Sequence, residues 1–487
     1  MIQSKTQQLS SASAKASADK PQIFTIWSDE IINSRLDCFY WMPNIYVEKI
    51  KRSKFAVKKI KDIVESIKSG TTPKQSENSF DESDYYFIRN TNIKDNHIKF
   101  ENAKTIKPEI YQKYSALNLQ KGDVLVCIAG TIGASGVFDL DVKAIFNQNV
   151  SRLRFKKDVL PEYANLWFNS DAFLSLINQN ATQATIKYVN NDILGNLPIP
   201  LPPLSIQNKI VSIMQKAYEE KKQKEEQARN LLDSIDDYVL GELGIKMLPA
   251  VAKAMAGKEI KKEMVFEVWS DEVENNRIDA QYWQPFLEKV EQAINNGNYK
   301  SQKLKNYITK IHYGASTSNA YTDGGIPFLR ILNLKPNYLD MSEVVCLPEN
   351  FRQELGNAFV KTGDLLISRS GTVGVVSVVP EEANRFAFGS FMIKFCLNDK
   401  INKEFVSIWL NNRLNKLLTE REKIGAIQGN ITIGTIENFN IPMPSLSVQK
   451  IIADKVKSCR AQSQTLQKEA EENLQNAKKK TEKLILN

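Results

Sequence analysis

Two histidines, His97 and His312, are the only imidazoles in the chain, and neither has a Cys or His at ligand spacing. They read as structural or surface residues, not as a general base or a metal ligand. The five cysteines (Cys38, Cys127, Cys346, Cys396, Cys459) are scattered and none forms C-x-x-C. That is the usage of reduced, buried thiols in a reducing compartment, without a zinc site. No P-loop, H-E-x-x-H or G-x-S-x-G occurs, nor the Asn/Asp-Pro-Pro-Tyr of an amino-methyltransferase. Two Gly-rich pieces, GTIGASG (130–136) and GTVGVVS (371–377), each follow a short apolar run. No Lys-Ser/Thr follows them and the next residues stay β-like, so a hairpin turn is expected, with contact to a phosphate backbone as the minor alternative. Asp123 and Asp364 precede the same runs with no Glu-x-Lys nearby. They are expected to cap a turn, the alternative being a nuclease centre.

What positions these residues is a duplication. FTIWSDEIINSRLDCFYWMP from Phe24 matches FEVWSDEVENNRIDAQYWQP from Phe266 at 11 of 20 positions, 242 residues apart. LQKGDVLVCIAGTIGASGVF from Leu119 matches VKTGDLLISRSGTVGVVSVV from Val360, and NLPIPLPPLSIQNKI from Asn196 matches NFNIPMPSLSVQKII from Asn438. All six tryptophans pair at the same offset: Trp27/Trp269, Trp41/Trp283 and Trp167/Trp409. The period is too long for a solenoid, so each copy holds at least one whole domain. The copies agree at their two ends and diverge between them: SGTTPKQSENSFDESDYYFIRN has only a loose counterpart in YGASTSNAYTDGGIPFLRI. A shared frame with divergent middles implies a shared task performed on different targets.

Within each copy, 87–93 and 328–334 read as strands, as do 123–129 and 364–368, then 144–155 and 386–395. Residues 161–180 and 403–420 have helical spacing. The Pro-rich stretches NLPIPLPP and NFNIPMPS are extended connectors, since proline can continue neither a helix nor a central strand. Ser205 and Ser447 stand where an N-cap belongs. Beyond them the apolar positions Ile206, Ile210, Ile213, Ala217, Ala228, Leu231, Ile235, Val239, and Ile452, Val456, Cys459, Leu466, Ala470, Leu474, Ala477, Leu484, are spaced by threes and fours and their sums, as a coiled-coil seam requires. Each helix is expected to run about 35 residues, roughly 50 Å. Burying one narrow stripe on each favours packing the two helices antiparallel, with one globular domain at each end.

Composition fits that plan. The 487 residues are 42% hydrophobic and 25% charged, which excludes collagen-like, disulfide-scaffold and wholly disordered chains. No apolar run approaches the ~18 residues of a bilayer span. Residues 1–22 lack an apolar stretch and read as a flexible tail rather than a secretory signal, a transit peptide being the alternative. The net charge of +9 permits a nucleic-acid partner without requiring one. Two heads on a helical spacer suit duplex DNA, whose equivalent groove faces recur every ~34–36 Å. Candidate DNA-contacting side chains are Lys74, Arg89, Asn90, Asn92, Lys94, Asn147, Gln148, Asn149, Arg152 and Lys187 in the first domain. In the second they are Arg330, Asn333, Arg369, Ser370, Gln428 and Asn430.

The tandem layout, the GD-x-L…GT-x-G frame and the I-P-x-P-x-L-S-x-Q exit into a long helix (Ile199 to Gln207; Ile441 to Gln449) resemble the specificity subunit of type I restriction–modification systems. The resemblance runs from about residue 24 to the end. It implies an α+β fold with two target recognition domains joined by two long antiparallel helices in a pseudo-twofold dumbbell, each domain reading half of a bipartite, asymmetric DNA site. The implied layout is a tail (1–22), recognition domain 1 (23–203), spacer 1 (204–245), linker and recognition domain 2 (246–445) and spacer 2 (446–487). The implied partners are double-stranded DNA, two methyltransferase subunits and, in restricting assemblies, restriction subunits. The subunit itself is non-catalytic and holds no cofactor; S-adenosylmethionine, ATP and Mg2+ belong to the partners. Its setting is the cytoplasm of a bacterium or archaeon. A methylation-only or type IIB-like system is an alternative, and a self-contained DNA-modifying enzyme a further one. The W-S-D-E…R-x-D-x-x-Y-W segment leading each copy reads as structural packing, or alternatively as a docking surface for the methyltransferase subunit.

Overall fold

The structure, a computed structural model, describes residues 44–74, 79–181, 187–246, 282–317, 321–423 and 429–486. The leading segment at Phe24 thus lies outside the described residues, and its copy at Phe266 is described only from Tyr282. The chain divides into two compact α+β units, residues 1–221 with 471–487, and residues 222–470.

Unit 1 contains α1 (Ile45–Lys51), β1 (Ala56–Lys59), β2 (Val64–Ser69), β3 (Tyr85–Ile88), β4 (Lys104–Thr105), β5 (Val124–Cys127), β6 (Ser135–Val137), β7 (Lys143–Phe146), β8 (Val150–Phe155), α2 (Pro161–Phe168), α3 (Asp171–Asn180), β9 (Pro198–Leu201) and the first part of α4 (Leu204–Glu242). An antiparallel sheet runs β2-β8-β5-β6. A smaller sheet runs β4-β3-β7, with β3 and β7 parallel. β5 is apolar without alternation because both its faces are covered. Val124 and Val126 join a core with Trp167, Phe168 and Phe173 of α2 and α3; Leu125 and Cys127 join another with Phe138 and Phe146. The Pro-rich stretch is not a free connector: β9 pairs with β1, an edge position that tolerates proline.

Unit 2 repeats this plan. It contains α5 (Pro285–Asn295), β10 (Ser301–Lys303), β11 (Ile308–Tyr313), β12 (Ile326–Leu329), β13 (Val345–Leu347), β14 (Leu365–Ser368), β15 (Val376–Val378), β16 (Ala387–Phe388), β17 (Met392–Leu397), α6 (Lys403–Asn411), α7 (Arg413–Arg421), β18 (Asn440–Pro442) and, up to Ala470, α8 (Leu446–Leu486). The sheets are β11-β17-β14-β15, β13-β12-β16 and β10-β18.

The duplicated residues explain themselves as scaffold. Trp167 and Trp409 are fully buried, and each donates its indole N–H to the Pro-rich strand, at Pro198 O (3.1 Å) and Asn440 O (2.9 Å). Asp123 accepts from the amide of Gln120 and Asp364 from that of Lys361, both at 2.8 Å, which is the expected turn cap. Gly130 and Gly133, like Gly371 and Gly374, take positive φ in the hairpins β5–β6 and β14–β15.

Four expectations need correction. Residues 87–93 and 328–334 are not continuous strands: the first strands end at Ile88 and Leu329, a 3-10 turn follows at Asn90–Asn92 and Ile331–Asn333, and strand resumes at Ile93 and Leu334. Asn92 and Asn333 accept from the amides of Arg89 (3.0 Å) and Arg330 (2.8 Å), and that local bond competes with the sheet. Residues 144–155 and 386–395 each break into two strands belonging to different sheets. The helical stretches 161–180 and 403–420 likewise break, at residues 169–170 and at Asn412. Ser205 and Ser447 lie inside the first turn, since the helices begin at Leu204 and Leu446. The turn is secured by Gln207 and Gln449 instead, whose buried amides donate back to Pro202 O and Pro444 O, both at 2.9 Å.

α4 has 39 residues and α8 has 41, longer than expected. In unit 1 they meet through Met214, Ala217 and Leu474, with Lys221 Nζ 2.8 Å from Glu471 Oε2. In unit 2, Lys224 pairs with Glu469, and Ser463 donates to Ala228 O at 3.0 Å. The polar run 218–227 therefore carries ion pairs between the two helices as well as a solvated face.

Candidate nucleic-acid interface

In unit 1 the interruption between β7 and β8 exposes a short amide-rich corner. Backbone geometry holds it: the amide of Asn147 donates to Ile88 O (2.9 Å) and that of Ile128 to Asn149 O (2.8 Å). Gly70 lies so close that a Cβ there would stand 2.2 Å from Asn147 O. The Asn147 side chain, mostly buried, reaches Asn90 Oδ1 at 3.5 Å, while exposed Gln148 accepts from Thr72. Ala129 pairs with Tyr188, which places exposed Lys187 beside the same corner. Asn90, Asn147, Gln148, Asn149 and Lys187 thus come together, flanked by half-buried Arg89 and, beyond Thr72, by exposed Lys74.

Three other candidates are placed differently. Asn92 is 3% exposed and engaged by the turn. Arg152, also 3% exposed, donates to Asn118 O (3.2 Å) and Ser66 Oγ (3.3 Å). Burial pushes its guanidinium below the ordinary arginine range, opposed by nearby Asp123. Lys94 is exposed on a hairpin whose residues Asn96 and His97 contact Tyr218. Arg152 reads as a surface group in the sequence because cations are seldom buried. Unit 2 has the same inward-turned cation: Lys394 donates to Phe359 O at 2.5 Å.

In unit 2 the equivalent corner is Gly389, Ser390 and Phe391, because Gly389 N donates to Leu329 O (3.0 Å) and Arg369 N to Phe391 O (2.9 Å). Ser370 pairs with Asn430 through both backbone and side chain (2.5 Å), matching the Ala129–Tyr188 bridge. The Arg369 guanidinium lies over the Tyr313 ring (4.8 Å) and that of Arg330 over Tyr321 (5.5 Å). Arg330, Arg369 and Asn430 therefore border one surface, while Ser370 is 6% exposed and engaged by Asn430. Asn333, 2% exposed, is engaged by its turn as Asn92 is, and Gln428 lies outside the described residues. Sequence reasoning missed Thr72, Leu332 and Phe391. Leu332 and Phe391 are 60% and 50% exposed, yet as apolar residues they resembled core. The usable signal was their counterparts in unit 1, Thr91 and Asn149.

Among the described residues no group of three or more His, Cys, Asp or Glu could hold a metal ion, and no helix is long and apolar enough to cross a membrane. The free thiols of Cys127 and Cys396 are pushed up to about 11, mainly by burial, well above the range of a nucleophile. The geometry offers hydrogen-bonding and cationic groups on two related surfaces.

Comparison with known proteins agrees with that description. The family model described as "Type I restriction modification DNA specificity domain" matches residues 52–231 and again 296–476. The chain is 23% identical over 378 residues to the type I restriction enzyme MjaVIII specificity subunit of Methanocaldococcus jannaschii, covering 76% of this chain and 79% of that one. It is 20% identical over 368 residues to the type I restriction enzyme EcoBI specificity subunit of Escherichia coli, covering 73% and 71%. A chain solved in work on complex assembly and conformational transition of the type I R-M system shares the fold, with a TM-score of 0.50 and 14% identity over 88% of this chain and 96% of that one. With both copies of its repeat matched, the chain belongs to the family of type I restriction–modification DNA specificity proteins.

Proposed function

We propose that the chain is the DNA sequence-specificity subunit of a type I restriction–modification complex, each unit reading one half of a bipartite, asymmetric site. The observation that carries this reading is the repeated corner: the backbone cradle is the same in both units, while its outward side chains are Thr91, Gln148 and Asn149 in one and Leu332, Ser390 and Phe391 in the other. A general ligand would favour equal surfaces; two different half-sites favour unequal ones. The recognition domains are residues 23–203 and 246–445. The spacers, 204–245 and 446–487, form an antiparallel coiled coil that holds the domains at a fixed separation in a dumbbell. The Lys221–Glu471 and Lys224–Glu469 pairs, in which one number rises as the other falls, support that direction.

The chain itself is non-catalytic. Its partners are duplex DNA, two methyltransferase subunits and, in restricting assemblies, restriction subunits; those proteins carry S-adenosylmethionine, ATP and Mg2+. The setting is cytoplasmic. The test is to exchange residues 44–200 for the matching segment of another such subunit and sequence the methylome. One half-site is expected to change. A change in both, or in neither, refutes the modular reading, and DNA methylation by the purified chain without partners refutes the non-catalytic one.

A further inference from the structure

Two cavities flank the corner of unit 2. One, of about 530 Å³, is lined by Leu332, Lys335, Ser370, Thr372, Phe391 and Lys416 among others. The second, of about 240 Å³, shares Leu332 and Phe391 and adds Tyr321, Phe328 and Arg330. No residue lining either cavity is acidic, and Lys335, Lys416 and Arg330 contribute positive charge. Leu332 and Phe391 therefore form an exposed apolar ridge between two cationic hollows. Their partners in the repeat are Thr91 and Asn149 on an amide-rich corner, so the ridge is not demanded by the scaffold. Apolar groups this exposed lose by standing in water unless a ligand covers them. The positive surroundings fit a polyanion as that ligand.

A polyanion with apolar groups at the same surface is duplex DNA, whose major groove presents the 5-methyl of thymine beside hydrogen-bonding edges. We propose that unit 2 reads its half-site through apolar contact of Leu332 and Phe391 with thymine 5-methyl groups, while unit 1 reads by amide hydrogen bonding. This rests on the DNA-reading function above and names the chemistry by which the two halves differ. Phe391 meets one methyl and Leu332 a neighbouring one. The guanidinium groups of Arg330 and Arg369, held over the Tyr321 and Tyr313 rings beside the ridge, meet the phosphates alongside.

The experiment uses the assembled methyltransferase complex and its selected DNA site, the half-sites being assigned by the domain exchange. Every thymine in one half-site is replaced by deoxyuridine, which removes the methyl and keeps the pairing. Substitution in the unit 2 half-site is expected to weaken binding by about fourfold for each methyl that the ridge covers; substitution in the unit 1 half-site should change little. The paired variant Leu332→Thr, Phe391→Asn should bind thymine and deoxyuridine duplexes equally, while Phe391→Leu should keep the preference. A unit 2 half-site without thymine, or equal binding of both duplexes by the native complex, overturns the proposal. Failure of the native complex to select any bipartite site would instead overturn the function on which it rests.

Discussion

Replacing Gln207 by methionine keeps the length and volume of the side chain and removes its polar end. The effect follows from three bonds: Leu160 N–H donates to Oε1 (2.8 Å), and Nε2 donates to Asp158 O and Pro202 O, both at 2.9 Å. Gln207 is fully buried, so methionine leaves one donor and two acceptors without a partner. A fully buried group left so costs about 1–3 kcal/mol. Only the Pro202 bond is wholly buried, and water can reach the other two groups in part, so about 2–4 kcal/mol is expected. Gln449 makes two of the three equivalent bonds, to Asn402 N–H (2.8 Å) and Pro444 O. Gln449→Met should therefore cost about 1 kcal/mol less. Because two units need not unfold together, the assay is native-state hydrogen exchange at the Leu160 and Asn402 amides. A loss of about 3 kcal/mol speeds exchange by opening roughly 150-fold. A change below about 0.5 kcal/mol in either variant, or a larger loss in unit 2 than in unit 1, would refute the assignment of this glutamine as the clamp between the domain and its helix.

Three further outcomes are expected. Gly133→Ala places a Cβ at φ +88° only 2.7 Å from Leu174 Cδ2; it should destabilise unit 1 by about 1–3 kcal/mol, read by urea unfolding, whereas Gly241→Ala, with nothing within 4 Å, should not destabilise. The Cys127 thiol, raised by burial from its ordinary value of 9.0 to about 11, ionises more readily in the unfolded chain; stability should be intact below pH 9 and decline between pH 9 and 11, and the decline should shrink in Cys127→Ala. Arg89→Ala and Arg330→Ala should each weaken DNA binding by the complex evenly across sequences and reduce the salt slope by about 0.9 for each phosphate left without its cation; an altered site preference with an unchanged slope would contradict a phosphate role.

The duplication was legible because tryptophan is rare and buried: Trp167 and Trp409 each need both a cavity and an acceptor, so neither can drift. The turn at GTIGASG was legible because its first two glycines, Gly130 and Gly133, occupy backbone conformations that side chains strain. The breaks at residues 147–149 and 389–391 were not, since no proline marks them and β-forming residues flank them on both sides. They are set by long-range bonds, Asn147 to Ile88 and Gly389 to Leu329, which no local pattern reports. Side-chain direction was hidden for the same reason. Arg152 and Lys394 look like surface cations until the carbonyls of Asn118 and Phe359 are seen to receive them. Leu332 and Phe391 look like core until they are found outside it.

These cases separate along one line. Many positions where the two copies agree turn inward: Asn92 and Asn333 close a turn, Asp123 and Asp364 cap one, Gln207 and Gln449 clamp a helix, and the paired glycines shape hairpins. Positions where they differ at the corner turn outward, as Asn149 and Phe391 do. At these positions identity reports the scaffold, and at the corner divergence reports what the scaffold presents. Arg89 and Arg330 break the rule in an informative way, being identical yet only half-buried at that corner. A residue shared by two surfaces that otherwise differ suits the part of DNA that does not change with sequence. That part is the phosphate backbone, which fixes register and orientation while the divergent neighbours discriminate bases.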